Sequence, residues 1–185
     1  MIVQAVFSWI YHMSFPGAAL LLAVCTGVFF ALRERFGRRL WRPAVAALLA
    51  VWAAAVLTQT VLARAPGAVQ APVWTPFQSY LDALGDGGQR ELLRSDFMNA
   101  VLFYPGGLLL AALLPERWRP ALRFALALGA LAALSAAIEA AQLRCGLGLA
   151  QTDDVIHNAL GAAAGAAVTL NIPNIPGKKG RPGSG

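Results

Sequence analysis

The sequence predicts an all-α, polytopic transmembrane bundle of about five helices, with its first end outside the membrane and its last end inside. Three observations predict it. Of its 185 residues, 58% are hydrophobic and only 13% are charged, where a soluble domain carries about a quarter charged residues. The apolar residues form long continuous Ala/Leu-rich runs, not the alternating strands of roughly ten residues that a membrane barrel needs. Finally, the cations gather after alternate runs, which is the pattern of a chain that crosses a membrane repeatedly.

The runs lie near residues 15–32, 43–62, 97–114, 122–143 and 155–170. Four of them suit a helix that needs about 20 residues to cross about 30 Å of hydrocarbon. The fifth has 16 residues, rich in Gly and Ala, and is expected to insert by packing as much as by hydrophobicity. No Lys, Arg, Asp or Glu precedes Arg33, so residues 1–32 do not read as a cleaved signal, which would start positive. Residues 1–13, with Phe7, Trp9, Ile10, Tyr11 and His12, either extend the first helix or lie at the interface where aromatic residues collect. Cys25 lies within a run and Cys145 in a short connection, so neither a disulfide nor a metal framework follows.

Orientation follows from charge. Arg33, Arg35, Arg38, Arg39 and Arg42 follow the first run, Arg117, Arg119 and Arg123 the third, and Lys178, Lys179 and Arg181 the fifth. These eleven cations belong on the cytoplasmic side, while Asp82, Asp86, Glu91, Asp96, Glu139, Asp153 and Asp154 all fall opposite. The net charge of +6 is therefore read as topology, and no nucleic-acid partner is expected. Residues 1–170 are expected to form a single domain, and the Pro/Gly/Lys-rich 171–185 a flexible basic tail. In the long outer connection 64–95, Thr75-Pro76 is a good helix start. Phe77, Tyr80, Leu81 and Leu84 follow at helical spacing, which predicts a short amphipathic helix. It lies either on the outer leaflet or as a lid over the bundle mouth.

The outer ends of three runs hold the polar residues. Asp96, Asn99 and Phe103 share a face at i, i+3, i+7, as do Ser135, Glu139 and Gln142 at i, i+4, i+7. Asp154, Asn158, Gly161 and Gly165 form a stripe, with Asp153 and His157 beside it. Glu139 stands roughly 26 Å beyond Leu122, near the outer edge of the hydrocarbon. Simpler readings compete at several positions. Asp96 after Ser95, and Asp153 and Asp154 after Thr152, are what helix N-termini favour. A lone His157 is commonly a hydrogen-bonded packing residue, and Gly161-x-x-x-Gly165 a close-packing seam. Glu139 fits these readings worst, because the dipole at a helix C-terminus disfavours an anion and buried membrane carboxylates usually face a cavity or partner.

Taken in order, Asp96-x-x-Asn99, Phe103-x-Pro105-x-Gly107, Glu139-x-x-Gln142 and Asp153-Asp154-x-x-x-Asn158-x-x-Gly161-x-x-x-Gly165 resemble the VanZ-like family, as does Trp74-Thr75-Pro76-Phe77 ahead of the third run. The resemblance implies a small bacterial plasma-membrane protein of the kind whose namesake lowers susceptibility to teicoplanin. That namesake's biochemical mechanism is not settled. The family's Arg shortly before the aspartates and a further acidic residue have no counterpart here, since Gly148 and Gln151 stand around those places. Arg144 is a possible substitute.

Three functions follow as alternatives. The first is an outward polar pocket (Asp96, Asn99, Phe103, Glu139, Gln142, Asp153, Asp154 and Asn158) that binds an amphiphile, such as a lipid-linked wall precursor or a lipoglycopeptide. The second is an enzyme acting on such a lipid, with Glu139 and Asp154 as an acid/base pair or Asp96, Glu139, Asp153 and His157 around a divalent metal. The third is a proton- or ion-coupled carrier, disfavoured by the lack of polar groups in the cytoplasmic halves of the runs. Neither a nucleophile arrangement nor a phosphate-cradling Gly loop is visible, and no cofactor is expected.

Overall fold

A computed structural model describes residues 5, 12–36, 38–67, 70–85 and 90–171. Six α-helices follow in order: α1 (Phe15–Arg35), α2 (Arg38–Leu57, running on as a π-helical turn over Thr58–Leu62), α3 (Gln78–Gly85), α4 (Arg90–Leu113), α5 (Pro120–Cys145) and α6 (Thr152–Asn171). Among the described residues four segments are long and apolar enough to cross a membrane: Phe15–Arg35, Leu40–Leu62, Leu93–Leu113 and Pro120–Cys145. The expected fifth span corresponds to α6, which is long enough but too polar to qualify on composition, because Asp153, Asp154, His157 and Asn158 occupy its first two turns. Expectations for Phe7, Trp9, Ile10, Tyr11, Asp86 and the tail beyond Asn171 fall outside the described residues.

α4 is the central helix. In its spanning window 67% of residues are buried, against 11% in α1 and in α2. Val24, Val28, Val51, Leu122 and Leu126 are left exposed on the outer helices, as suits side chains facing lipid. α4 packs mainly on α6, at a glycine seam. A Cβ on Gly161 would run into the Ala100 carbonyl, one on Gly165 into the Tyr104 carbonyl, and one on Gly107 into Ala162 backbone. Such close approach is what small residues permit between membrane helices. Hydrogen bonds reinforce the seam: Thr169 Oγ1 donates to the Leu108 carbonyl at 3.0 Å, and Thr26 Oγ1 and Tyr104 Oη lie 2.7 Å apart between α1 and α4.

Pro105 sits inside α4 and cannot donate to the preceding turn. The carbonyl left without that donor is Val101's; one residue on, Trp52 of α2 donates its Nε1–H to the Leu102 carbonyl at 3.0 Å, and its ring occupies the space a Gly106 Cβ would fill. The same ring meets Phe103 edge-on at 5.5 Å.

Two connections at one end of the bundle are stitched together. Gly67 N–H donates to the Gly146 carbonyl, and Val73 and Gln151 pair as a parallel bridge through Val73 N–H to Ala150 O and Thr152 N–H to Val73 O. Residues 63–67 and 70–77 thus form a strap bound to the α5–α6 connection. α3 begins at Gln78 and not at the expected Thr75-Pro76 start. Phe77 intervenes with φ 60°, a left-handed conformation that costs a bulky residue roughly 1–2 kcal/mol. Its N–H is held by Asp153 Oδ1 at 2.5 Å. The helix is therefore started by a carboxylate from α6 and not by its own Thr cap.

Candidate functional site

A cavity of about 100 Å³ opens where the N-terminal half of α4, the C-terminal end of α5 and the first turns of α6 meet the π turn of α2. Asn99 and Phe103 line it from α4, Glu139 and Gln142 from α5, and Asp154 and Asn158 from α6. Six of the eight residues expected at a pocket are thus brought together. Their helical spacing explains this, because i, i+4 pairs on α4 and α6 and the i, i+3 pair on α5 each present one face.

Each side chain is held by a named partner. Asn99 Nδ2 donates to Asp154 Oδ1 at 2.6 Å. Asn158 Nδ2 donates to Ser135 Oγ at 2.8 Å, deep between α5 and α6. Gln142 Nε2 donates to the Thr60 carbonyl at 3.0 Å, a group in the π turn, where the wider i+5 ladder replaces the regular one and Ala63 N–H reaches back to Thr58 O. Glu139 Oε2 accepts from Gln151 N–H at 3.0 Å, so the carboxylate pins the α5–α6 connection over the cavity. Both Glu139 and Asn158 are buried, yet Asn158 Oδ1 has no hydrogen-bond partner.

Asp96 and Asp153 are buried but do not line the cavity. Adjacent residues on a helix point about 100° apart, so Asp154 turns to the cavity while Asp153 turns to Phe77. The expectation that Asp96 sits at a helix N-terminus is also corrected. α4 starts at Arg90, which places Ser95 and Asp96 within its second turn. His157 is a bonded packing residue. Its Nδ1–H donates to the Asp153 carbonyl at 2.7 Å, leaving Nε2 to accept from the Tyr80 hydroxyl at 2.9 Å, with the rings stacked 5.7 Å apart. Burial first, then the nearby charges of Asp96 and Asp153, pushes the Tyr80 phenol above its ordinary value. Tyr80, itself 41% exposed, therefore docks α3 on α6 through its hydroxyl as a neutral donor, and Phe77, Leu81 and Leu84 are exposed beside it. Asp96, Glu139, Asp153 and His157 do not assemble a metal site: among the described residues no three His, Cys, Asp or Glu groups are close enough to share an ion.

Sequence reasoning missed Thr60 and Arg64. Among the described residues Arg64 is the arginine on the cavity wall and lies at its exposed rim, Nη1 donating to the Leu147 carbonyl at 3.3 Å. Gly148 makes room for it, since a Cβ there would come 2.6 Å from Arg64 Nη1. Arg144 is exposed and does not line the cavity, whereas Arg64, two residues beyond the π turn of α2, lies against position 148. The usable signal was its place: Arg64 is the first cation after the second run, on the side where cations are scarce.

Four helices long and apolar enough to cross a membrane, three of which join α6 in walling a small polar chamber, describe a multi-pass membrane protein. The VanZ/LLP1 family model matches residues 18–172, which covers all six helices except the first three residues of α1, and the chain belongs to that family. No curated protein and no solved structure matches it.

Proposed function

We propose that the protein uses this chamber, facing outward from a bacterial plasma membrane, to bind the polar head of an amphiphilic cell-envelope ligand. A lipid-linked wall precursor or a lipoglycopeptide such as teicoplanin has that form, and reduced glycopeptide susceptibility is the corresponding phenotype. The observation that carries the reading is the convergence of Asn99, Glu139, Gln142, Asp154 and Asn158, from three helices, on one cavity. Polar groups of this density are costly in an apolar bundle unless they serve a site. Trp74, Phe77, Leu81 and Leu84 are exposed on the strap and α3 at the same end, and such side chains suit the acyl boundary beside a bound head group.

In this reading α6 is the fifth span, inserted by its packing on α4, and the basic segments after α1, α4 and α6 lie in the cytoplasm. The protein carries its own reporter of that orientation. Cys145, exposed at the end of α5, labels with a membrane-impermeant maleimide on intact cells, and Cys145→Ser abolishes the label. Labelling only after permeabilisation would reverse the orientation. For function, Glu139→Ala and Asp154→Ala are each expected to remove the susceptibility phenotype at unchanged membrane abundance. Survival of the phenotype in both would end the pocket reading.

A further inference from the structure

We propose that the head group selected by this cavity is a zwitterion: a primary ammonium inside the chamber, joined through a short spacer to a phosphate held by Arg64 at the rim. This rests on reading the cavity as a head-group site and specifies its chemistry.

The wall is rich in acceptors. Each of its three amides uses one N–H within the protein: Asn99 to Asp154, Gln142 to the Thr60 carbonyl and Asn158 to Ser135. The carboxylates of Glu139 and Asp154 and the amide oxygen of Asn158 stand beside them on the wall. Asn158 is only 7% exposed and lines the cavity, yet its Oδ1 has no partner. An unmet buried acceptor is costly, so a ligand that donates there gains what the free protein lacks. An ammonium offers three N–H donors and no acceptor, so it can meet the Asn158 oxygen and the neighbouring carboxylate oxygens together and brings a positive charge to a wall that holds two carboxyl groups. A hydroxyl donates once and carries no charge. The volume of about 100 Å³ exceeds the roughly 10–15 Å³ that a single water needs and leaves room for a short amine-bearing arm.

The rim supplies the opposite charge. The Arg64 guanidinium is exposed over the space left by Gly148, and a planar guanidinium suits the paired oxygens of a phosphate. An aminoethyl phosphate spans the two charges. It is found as a phospholipid head group and as the free ester.

The test uses the full chain in nanodiscs of phosphatidylglycerol alone, so that no zwitterionic lipid competes. Calorimetric titration compares short-chain phosphatidylethanolamine and free phosphoethanolamine with their choline counterparts, which have no N–H. The expected result is saturable binding of the ethanolamine forms and about tenfold or more weaker binding of the choline forms. Binding of the lipid alone identifies a lipid head group, and equal binding of the free ester a soluble zwitterion. Arg64→Gln should bring phosphoethanolamine down to the affinity of ethanolamine. Asn158→Leu should weaken binding, and Asn158→Asp should retain it. If the leucine variant misfolds, the ethanolamine–choline comparison on the unaltered chain still decides. Equal binding of choline forms, or undiminished binding in Asn158→Leu, overturns the proposal. If no zwitterion binds while a lipid-linked sugar pyrophosphate does, the ammonium inference fails and the pocket reading stands. If nothing binds and the phenotype survives Glu139→Ala and Asp154→Ala, both fail.

Discussion

Asn99 donates its amide hydrogen to Asp154 Oδ1 at 2.6 Å, tying the second half of the cavity wall on α6 to the first on α4. The two residues lie 55 positions apart and meet because the glycine seam draws the helices together below them. Polar pairs between membrane helices contribute modestly, about 0.5–1.5 kcal/mol, because the separated helices also find partners. A double-mutant cycle of Asn99→Ala and Asp154→Ala is therefore expected to show a coupling of about that size in reversible unfolding from detergent micelles. Strict additivity would mean that the contact carries no energy.

The seam itself should be far less forgiving. Gly161→Ala and Gly165→Ala place a Cβ against α4 backbone, which cannot yield as a flexible side chain can. Each should destabilise by about 1–3 kcal/mol. Gly27 and Gly129 have open space where a Cβ would go, so Gly27→Ala and Gly129→Ala should be neutral or stabilising by up to about 1 kcal/mol. Thermal melts of the four proteins in one detergent check this, and equal losses at all four sites would refute the seam.

The seam and the α6 wall were legible in the sequence because both follow strict helical spacing: Asp154, Asn158, Gly161 and Gly165 recur every three or four residues, and each lies where that period puts it. What was not legible depended on departures from that period. The π turn at Thr58–Leu62 widens the ladder of α2, so the positions that face inward near Thr60 and Arg64 cannot be counted from the run before it. The start of α3 was misplaced because Thr75-Pro76 is a sound local signal, overridden by a tertiary one, the Asp153 carboxylate at Phe77 N–H. α4 was read as starting seven residues late because Arg90, Glu91 and Arg94 look like loop residues. They extend the helix past its apolar stretch.

Docking of α3 should depend on the proton of Tyr80. Its phenol is pushed up by burial first and then by Asp96 and Asp153. A folded-state value above the ordinary one of about 10 means that the neutral form favours the docked state. That contribution is fully present below the ordinary value and is lost as pH rises through the raised folded value. Limited proteolysis within α3 should therefore accelerate at strongly alkaline pH. Tyr80→Phe, which cannot donate to His157 Nε2, should be cut faster at neutral pH and lose the alkaline step. An unchanged alkaline step in Tyr80→Phe would assign it to another group.

Glu139 plays two parts that substitution can separate. Its Oε2 accepts from Gln151 N–H, which holds the α5–α6 connection in place, and its carboxylate also lines the cavity. Glutamine keeps an oxygen for the backbone donor and removes the charge, whereas alanine removes both. Glu139→Gln is accordingly expected to lie within about 0.5 kcal/mol of the parent in stability, and Glu139→Ala to lose about 1–3 kcal/mol, the cost of orphaning a buried N–H. Both should lose the susceptibility phenotype, because the chamber needs the anion. Unfolding midpoints and susceptibility measured on the same three proteins decide the matter. A glutamine variant that is both stable and fully active would reduce Glu139 to a fastener for the loop.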